Sequence, residues 1–342
     1  MSATHVAVSS SIEIGSQRPP MKHIFLRLLN TCNLQCAHCY ASCGPSSREA
    51  MTLETVLRLV SELSELRPDT VHLEGGEALM FRGIWEVIDA LNAHGIKPAI
   101  TSNGLAVTPK IIDRLKGRVS RLTFSIDGPT AVTHDRIRRR IGSFAKVTEA
   151  TRNSVAAGIP THMISVVWRD TVKRVAETIA LAEQLGVERL LLFSCGSIGA
   201  AIENETELMV DPDSWVEYLH QVRDLAASRP WVWYELDRVR REDLGRFLPV
   251  DYQPICTKKQ RDSLIVDPLG DVYPCGYFIP AGKSLGNIKD APLSEIAYRI
   301  QPGERYSGAC RDPWAPGDGL VELCKLVSIN AKTPTTGDRL VD

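Results

Sequence analysis

The residues best equipped for chemistry are Cys32, Cys36 and Cys39, in the run Cys32-Asn33-Leu34-Gln35-Cys36-Ala37-His38-Cys39-Tyr40. Three thiols on one short loop can converge on a single inorganic centre if the loop wraps around it. A four-iron cluster held by three thiolates keeps one iron without a protein ligand. That iron is a place for chemistry, as the open position is in a three-ligand zinc site. On the residues alone two other readings stay open. A structural zinc site usually offers paired C-x2-C knuckles, whereas the first gap here is three residues, and His38 would have to complete the set from between two ligands. A disulfide reading fits poorly, because nothing marks the chain for export.

A second set, Cys256, Cys275, Cys310 and Cys324, lies far downstream. Cys256 and Cys275 flank a predicted hairpin: an alternating strand Ser263-Leu264-Ile265-Val266, a Pro-Leu-Gly-Asp turn through Gly270, then a second short strand. Four cysteines fit either one fully ligated cluster or a tetrahedral zinc site. A cluster with four protein thiolates has no open iron, so it would pass electrons rather than bind substrate. Cys43 and Cys195 are left over. Cys195 follows the sixth predicted strand, where a thiol could face a ligand or simply pack as a small apolar side chain.

The elements that must position these groups alternate in type. Predicted strands are His23–Leu29, Thr70–Leu73, Lys97–Thr101, Arg121–Ile126, His162–Val167 and Arg189–Phe193. Between them run amphipathic stretches Leu53–Leu66 (with Thr52 as N-cap), Ile84–His94, Pro109–Leu115, Phe144–Ala157 and Val172–Leu185. Gly95, Gly158 and Gly186 follow three of them as helix-ending residues. Such alternation with short loops specifies an α/β fold, a parallel sheet with helices outside. Six strands are too few for a closed eight-stranded barrel, so a partial, open (β/α)6 barrel is expected, with ligands at the carboxyl ends of its strands. From Gly196 the alternation stops. Trp215–Leu225 reads as a helix and Trp231–Glu235 as a compact aromatic strand.

Residues just after the strands therefore carry functional weight. Glu74-Gly75-Gly76-Glu77 follows the second strand, and paired glycines let backbone approach a ligand closely. Thr101-Ser102-Asn103-Gly104 follows the third and Ser125-Ile126-Asp127-Gly128-Pro129 the fourth. Both offer hydroxyl, amide and carboxylate groups suited to a ribose diol, and both also read as ordinary turn formers. Arg136, Arg138, Arg139 and Arg140 form the one dense basic run, suited to a solvated face or to anion binding.

The C-x3-C-x2-C spacing followed by an aromatic residue resembles the radical S-adenosylmethionine (SAM) superfamily. The resemblance implies a four-iron–four-sulfur (4Fe–4S) cluster on Cys32, Cys36 and Cys39, whose open iron chelates the methionine part of SAM. An electron then cleaves SAM to a 5′-deoxyadenosyl radical. It places Tyr40 beside the adenine, and Gly75, Gly76 and Glu77 at the SAM amino group, with Ala78 where the family usually has proline. It places Ser102, Asn103, Ser125 and Asp127 at the ribose and methionine carboxylate, and Arg138 opposite that carboxylate. The downstream cysteines resemble the SPASM and shorter "twitch" domains, which hold auxiliary 4Fe–4S clusters, although the dense cysteine run of a full SPASM domain is absent. The implied fold is a partial (β/α)6 TIM-like barrel with a small C-terminal iron–sulfur domain. The implied layout is a tail over 1–20, a core over 21–205, a helical linker over 206–250, the auxiliary domain over 251–327 and a tail over 328–342.

Composition sets the remaining bounds. The chain has 342 residues, 40 Lys+Arg against 41 Asp+Glu, so no global field argues for nucleic acid or an anionic membrane. Met1–Pro20 lacks the apolar core of a signal peptide, no stretch reaches a membrane span, and nine cysteines without an export signal point to the cytoplasm. The expected activity is hydrogen abstraction from an unactivated carbon by a radical SAM oxidoreductase supplied by a flavodoxin- or ferredoxin-type reductant. The overall cysteine spacing resembles the radical SAM dehydrogenase of aminocyclitol antibiotic pathways. The segment before the first strand is also short against the leader-binding domain of many peptide maturases. Both favour oxidation of a sugar or aminocyclitol carbinol in antibiotic biosynthesis. The alternatives are maturation of a ribosomally made peptide, radical epimerisation with Cys195 as donor, and, in a different class, a non-catalytic electron relay or redox sensor.

Overall fold

Along each strand the side chains alternate between an apolar set and a mixed polar set, and that alternation decides which face is covered by helices. The computed structural model describes residues 22–236, 238–247, 263–279, 282–297, 299, 320–322 and 328–329. Strands β1 (His23–Arg27), β2 (Thr70–Glu74), β3 (Ala99–Ser102), β4 (Arg121–Ser125), β5 (Thr161–Val167) and β6 (Arg189–Ser194) lie side by side in chain order, all parallel. Ile24, Leu26, Val71, Leu73, Ile100, Leu122, Phe124, Met163, Leu190 and Leu192 share one face and belong to the main buried core. The register places Phe25 beside His72 and Thr123 beside His162, so Phe25, Arg27, His72, Glu74, Thr123 and His162 share the other face.

The helices are α1 (Leu53–Leu66), α2 (Ile84–Ala93), α3 (Pro109–Leu115), α4 (Ala131–Arg138), α5 (Ser143–Ala156), α6 (Val175–Leu185), α7 (Glu205–Leu208) and α8 (Pro212–Ala226). Thr52 caps α1 as expected, its hydroxyl accepting from the Thr55 N–H at 3.1 Å. Val56, Leu59, Val60, Leu63 and Leu66 form its buried stripe, at spacings of three and four residues. Each is worth about 1.5–3 kcal/mol of burial. Gly95, Gly158 and Gly186 take positive φ of 77°, 73° and 72° where three helices end, a conformation that costs glycine little.

The sheet continues beyond the six expected strands. β7 (Val232–Glu235) pairs parallel with β6, so the aromatic strand read as part of a linker extends the barrel wall. Beyond β8 (Arg238–Arg240) comes the predicted hairpin, β9 (Ser263–Val266) and β10 (Asp271–Tyr273), turning through Gly270 at φ +92°. β9 pairs parallel with β1 on the opposite side of the barrel, and β11 (Gly286–Asn287) follows β10. β12 (Leu320–Glu322) pairs with β8, and β13 (Ser328–Ile329) with β7. The large sheet runs β11-β10-β9-β1-β2-β3-β4-β5-β6-β7-β13 without closing, so the barrel is open.

The boundary expected near Asp251 lies outside the described residues. Past it the chain re-enters the barrel's own sheet through β9 and is clamped to α1. Arg58 donates to the Ile288 carbonyl at 3.0 Å, and Glu62 accepts from the Leu293 N–H at 2.6 Å. Among the described residues no helix is long and apolar enough to cross a membrane.

Candidate active site

The cysteine loop leaves the carboxyl end of β1 and is pinned on several sides. The Cys32 N–H donates to the Gly44 carbonyl at 3.1 Å, closing the loop on itself, and the Ala37 N–H donates to the Ile137 carbonyl of α4 at 2.9 Å. Cys32, Leu34, Cys36 and Cys43 form a small buried cluster of their own, with Cys39 packed against it. Gly75 and Gly76 serve this loop directly. A Cβ on Gly76 would collide with the Thr31 carbonyl, and one on Gly75 would stand 2.6 Å from the Leu29 oxygen. The close approach that the glycine pair permits is therefore to the cysteine loop. The Gly76 N–H donates to the Leu29 carbonyl at 2.7 Å and the Glu77 N–H to the Thr31 carbonyl at 3.1 Å. From the far side, the Ala200 N–H donates to the Cys39 carbonyl at 2.9 Å. Gly199, at φ +58°, leaves no room for a Cβ beside the Tyr40 and Cys39 oxygens.

Glu77 reaches across to β3. Its carboxylate accepts from the Asn103 N–H at 2.8 Å and the Leu79 N–H at 3.4 Å. Burial pushes its pKa up, with those donors opposing. Ser102 accepts from the Gly104 N–H at 3.0 Å, and the Asn103 amide holds the Leu105 N–H at 3.0 Å and Asn33 Oδ1 at 2.7 Å. Ser125 sits half-buried at the end of β4.

Asp127 is the hub of the other side. It is fully buried. Its Oδ1 accepts from the Val166 N–H at 2.9 Å, while Oδ2 lies 2.5 Å from Arg138 Nη2 and 3.1 Å from His38 Nε2. Burial alone would raise its carboxyl, but the Arg138 guanidinium, then His38, holds it well below the usual carboxylate range. The His134 ring accepts the Asp127 N–H at 3.1 Å, and the Trp168 indole donates to the Asp127 carbonyl at 3.1 Å. Asp127 thus ties β4, β5, α4 and the cysteine loop together instead of standing open as an acceptor for a sugar hydroxyl.

The basic run divides in two. Arg136 and Arg139 stay at the surface, Arg136 pairing with Asp170 at 2.6 Å and Glu207 at 3.0 Å. Arg138 turns inward to Asp127 and to Cys36 Sγ, at 3.7 Å.

Tyr40 turns its ring under the Arg27 guanidinium, 5.5 Å away, and reaches Gly276, next to Cys275. Cys275 is buried just after β10. Cys256, Cys310 and Cys324 lie outside the described residues. Cys195 follows β6, half-buried against Ala37, Ile137, Trp168, Ala201 and Leu208. Sequence reasoning missed Glu235, which ends β7 and accepts from the Ser194 N–H and hydroxyl, both at 2.8 Å. It also treated His38 only as a zinc ligand. The signal for Glu235 was a carboxylate closing an aromatic strand; the signal for His38 was an imidazole between two cysteines, with an Asp-Gly turn available to receive it.

These residues fit an iron–sulfur cluster with a polar ligand beside it. Burial pushes the Cys32 thiol up to about 12 and also raises Cys36, so on their own both stay neutral, and a bound cationic metal would supply the charge that deprotonates them. Hydrogen bonding from Cys43 instead pulls the Cys39 thiol down. The buried Arg138 Nε, His38 Nδ1 and His134 Nε2 have no hydrogen-bond partner, which leaves polar atoms around the loop for a ligand to satisfy.

Comparison with known proteins agrees with this geometry. The radical SAM superfamily model matches residues 26–193, and an iron–sulfur cluster-binding domain of the SPASM type matches residues 256–311. Mycofactocin maturase MftC of Mycobacterium ulcerans is 28% identical over 303 residues, 83% of this chain and 77% of that protein. AdoMet-dependent heme synthase of Methanosarcina barkeri is 26% identical over 298 residues, 82% of this chain and 84% of that protein. The structure of Streptococcus suis SuiB bound to precursor peptide SuiA superposes with a TM-score of 0.66 at 12% identity, covering 82% of this chain and 64% of SuiB, and so speaks to the fold. The chain belongs to the radical SAM superfamily, with an auxiliary iron–sulfur domain after its open barrel, and its cofactors are S-adenosylmethionine and 4Fe–4S clusters.

Proposed function

We propose that this protein is a peptide maturase, an oxidoreductase that abstracts hydrogen from an unactivated carbon of a ribosomally made peptide. The observation that carries this reading is the likeness to mycofactocin maturase MftC over 83% of the chain. The sugar or aminocyclitol reading rested on cysteine spacing and on the short segment before the first strand, and has no such support. The heme synthase likeness supports the shared radical chemistry without favouring either substrate.

In this reading Cys32, Cys36 and Cys39 hold the SAM-binding cluster, and Cys275 with Cys256, Cys310 and Cys324 holds the auxiliary one. When bound, the cluster and SAM supply a one-electron reductive cleavage that yields a carbon-centred radical. The chain's own residues do the aiming. Glu77, fixed by the Asn103 and Leu79 N–H groups, presents its carboxylate beside the loop for the SAM amino group. Arg138, with its buried Nε still unsatisfied, offers a donor to the SAM carboxylate. Ser102, Asn103 and Ser125 stand at the strand ends for the ribose, and Tyr40 closes the loop side. On the substrate side, Cys195 and Glu235 lie at the ends of β6 and β7, where an open barrel admits a chain.

The test is anaerobic incubation with SAM, a flavodoxin-type reductant and a short peptide encoded beside this gene, read by mass spectrometry. A SAM-dependent mass change in the peptide, with release of 5′-deoxyadenosine, is expected. An unchanged peptide together with loss of two hydrogen atoms from an aminocyclitol would overturn the substrate assignment.

A further inference from the structure

Each of the three sulfurs of the loop has a donor of its own. Asn103 Nδ2 stands 3.6 Å from Cys32 Sγ, Arg138 Nη1 stands 3.7 Å from Cys36 Sγ, and the Cys43 backbone N–H stands 3.3 Å from Cys39 Sγ. The two side-chain donors come from remote parts of the sequence, 71 and 102 residues from their sulfurs, so the fold delivers them rather than the loop. Both are also held in place. Asn103 is fixed by Leu105 and Asn33, and Arg138 by the buried carboxylate of Asp127 at 2.5 Å.

We propose that Asn103 and Arg138 are positioning residues that set the reduction potential of the SAM-binding cluster through hydrogen bonds to its ligating sulfurs, with Asp127 fixing Arg138. This rests on Cys32, Cys36 and Cys39 being the ligands. One electron from the reductant enters the cluster, no bond of the protein breaks, and negative charge grows on the sulfurs. A donor aimed at a sulfur therefore stabilises the reduced form more than the oxidised one, and a cationic donor more than a neutral one. Asn103 contributes a neutral amide and Arg138 a guanidinium, so the two differ in predictable size. The arrangement makes the cluster easier to reduce than the same loop without them.

The experiment is a redox titration of the full, cluster-loaded protein without SAM, followed by electron paramagnetic resonance, on wild type, Asn103→Ala, Arg138→Gln and Arg138→Lys. At a fixed solution potential, Arg138→Gln is expected to lower the reduced-to-oxidised ratio about tenfold, which is 59 mV for a one-electron couple. Asn103→Ala is expected to lower it about threefold, as for loss of a neutral donor. Arg138→Lys, which keeps charge but not the fork, should fall between wild type and Arg138→Gln. The auxiliary cluster serves as internal reference and should not move. Wild-type potentials in Asn103→Ala and both Arg138 variants, or equal shifts in both clusters, would overturn the proposal. If Arg138→Gln does not load its cluster, Asn103→Ala and Arg138→Lys still decide. The ligand assignment fails separately: a Cys36→Ala protein that keeps the SAM-responsive signal would sink it without any titration.

Discussion

The ion pair between Asp127 and Arg138 is buried, with side-chain exposures of 0% and 10% and a separation of 2.5 Å. Removing one partner strands the other charge in a medium that solvates it poorly. Such a loss costs about 3–5 kcal/mol, whereas replacing both partners with apolar residues of similar size costs much less. Asp127→Leu also deprives the Val166 N–H of its acceptor, about 1–3 kcal/mol more, but that loss is common to the single and double variants and cancels in a cycle. We therefore expect Asp127→Leu and Arg138→Met each to lower stability by at least about 3 kcal/mol, a fall of at least roughly 6–9 °C in Tm at about 2–3 °C per kcal/mol. The double variant should recover about 2 kcal/mol or more of the summed loss. Urea unfolding of the full chain, with iron content matched between variants, measures all four corners. Additivity within about 0.5 kcal/mol would refute the pair as the strut of the site.

Gly76→Ala should lower iron content severalfold while leaving circular dichroism unchanged, because the added methyl displaces the cysteine loop at Thr31 before it disturbs the sheet. Buried His72 and His162 carry depressed pKa values, His162 down to about 3, from burial and then Arg121. Their stabilising neutral state is intact above the unfolded value near 6.5 and is lost as pH falls below it, at about 1.4 kcal/mol per unit per group. Glu74, raised to about 6 by burial, opposes this between its unfolded value and 6. Net stability measured by urea should therefore fall between pH 6.5 and 5, and His162→Gln should flatten the slope. Glu62→Ala, which removes the acceptor for the Leu293 N–H, should cost about 1 kcal/mol and loosen the short helix Leu293–Ala297 in hydrogen exchange without changing cluster content.

Much of the frame was legible because short-range rules governed it. The six strands and the stretches Leu53–Leu66 and Pro109–Leu115 follow from periodicity and capping, and their limits agree with the structure to within a residue or two. What escaped was set by pairing between distant segments. Nothing local in Val232–Glu235 says that it joins β6, and nothing in Ser263–Val266 says that it returns to β1. The same holds at the site. The cysteine spacing was readable in place, but the Asp127 link to His38 and Arg138 joins segments that meet only in the folded chain. Asp-Gly-Pro reads locally as a turn, and only the fold shows that its carboxylate is buried as an internal counter-ion to Arg138. α4 was hidden for a related reason: its basic, weakly amphipathic sequence helps form the site rather than the main core.

The most direct measurement is electron paramagnetic resonance of the reduced, oxygen-free protein with and without SAM, in wild type and in Cys36→Ala. The expected result is a cluster signal that changes when SAM is added to wild type and is missing from Cys36→Ala, while the auxiliary signal persists in both. A wild-type spectrum indifferent to SAM, or a SAM response that survives loss of Cys36, would contradict an open iron held by the cysteine loop.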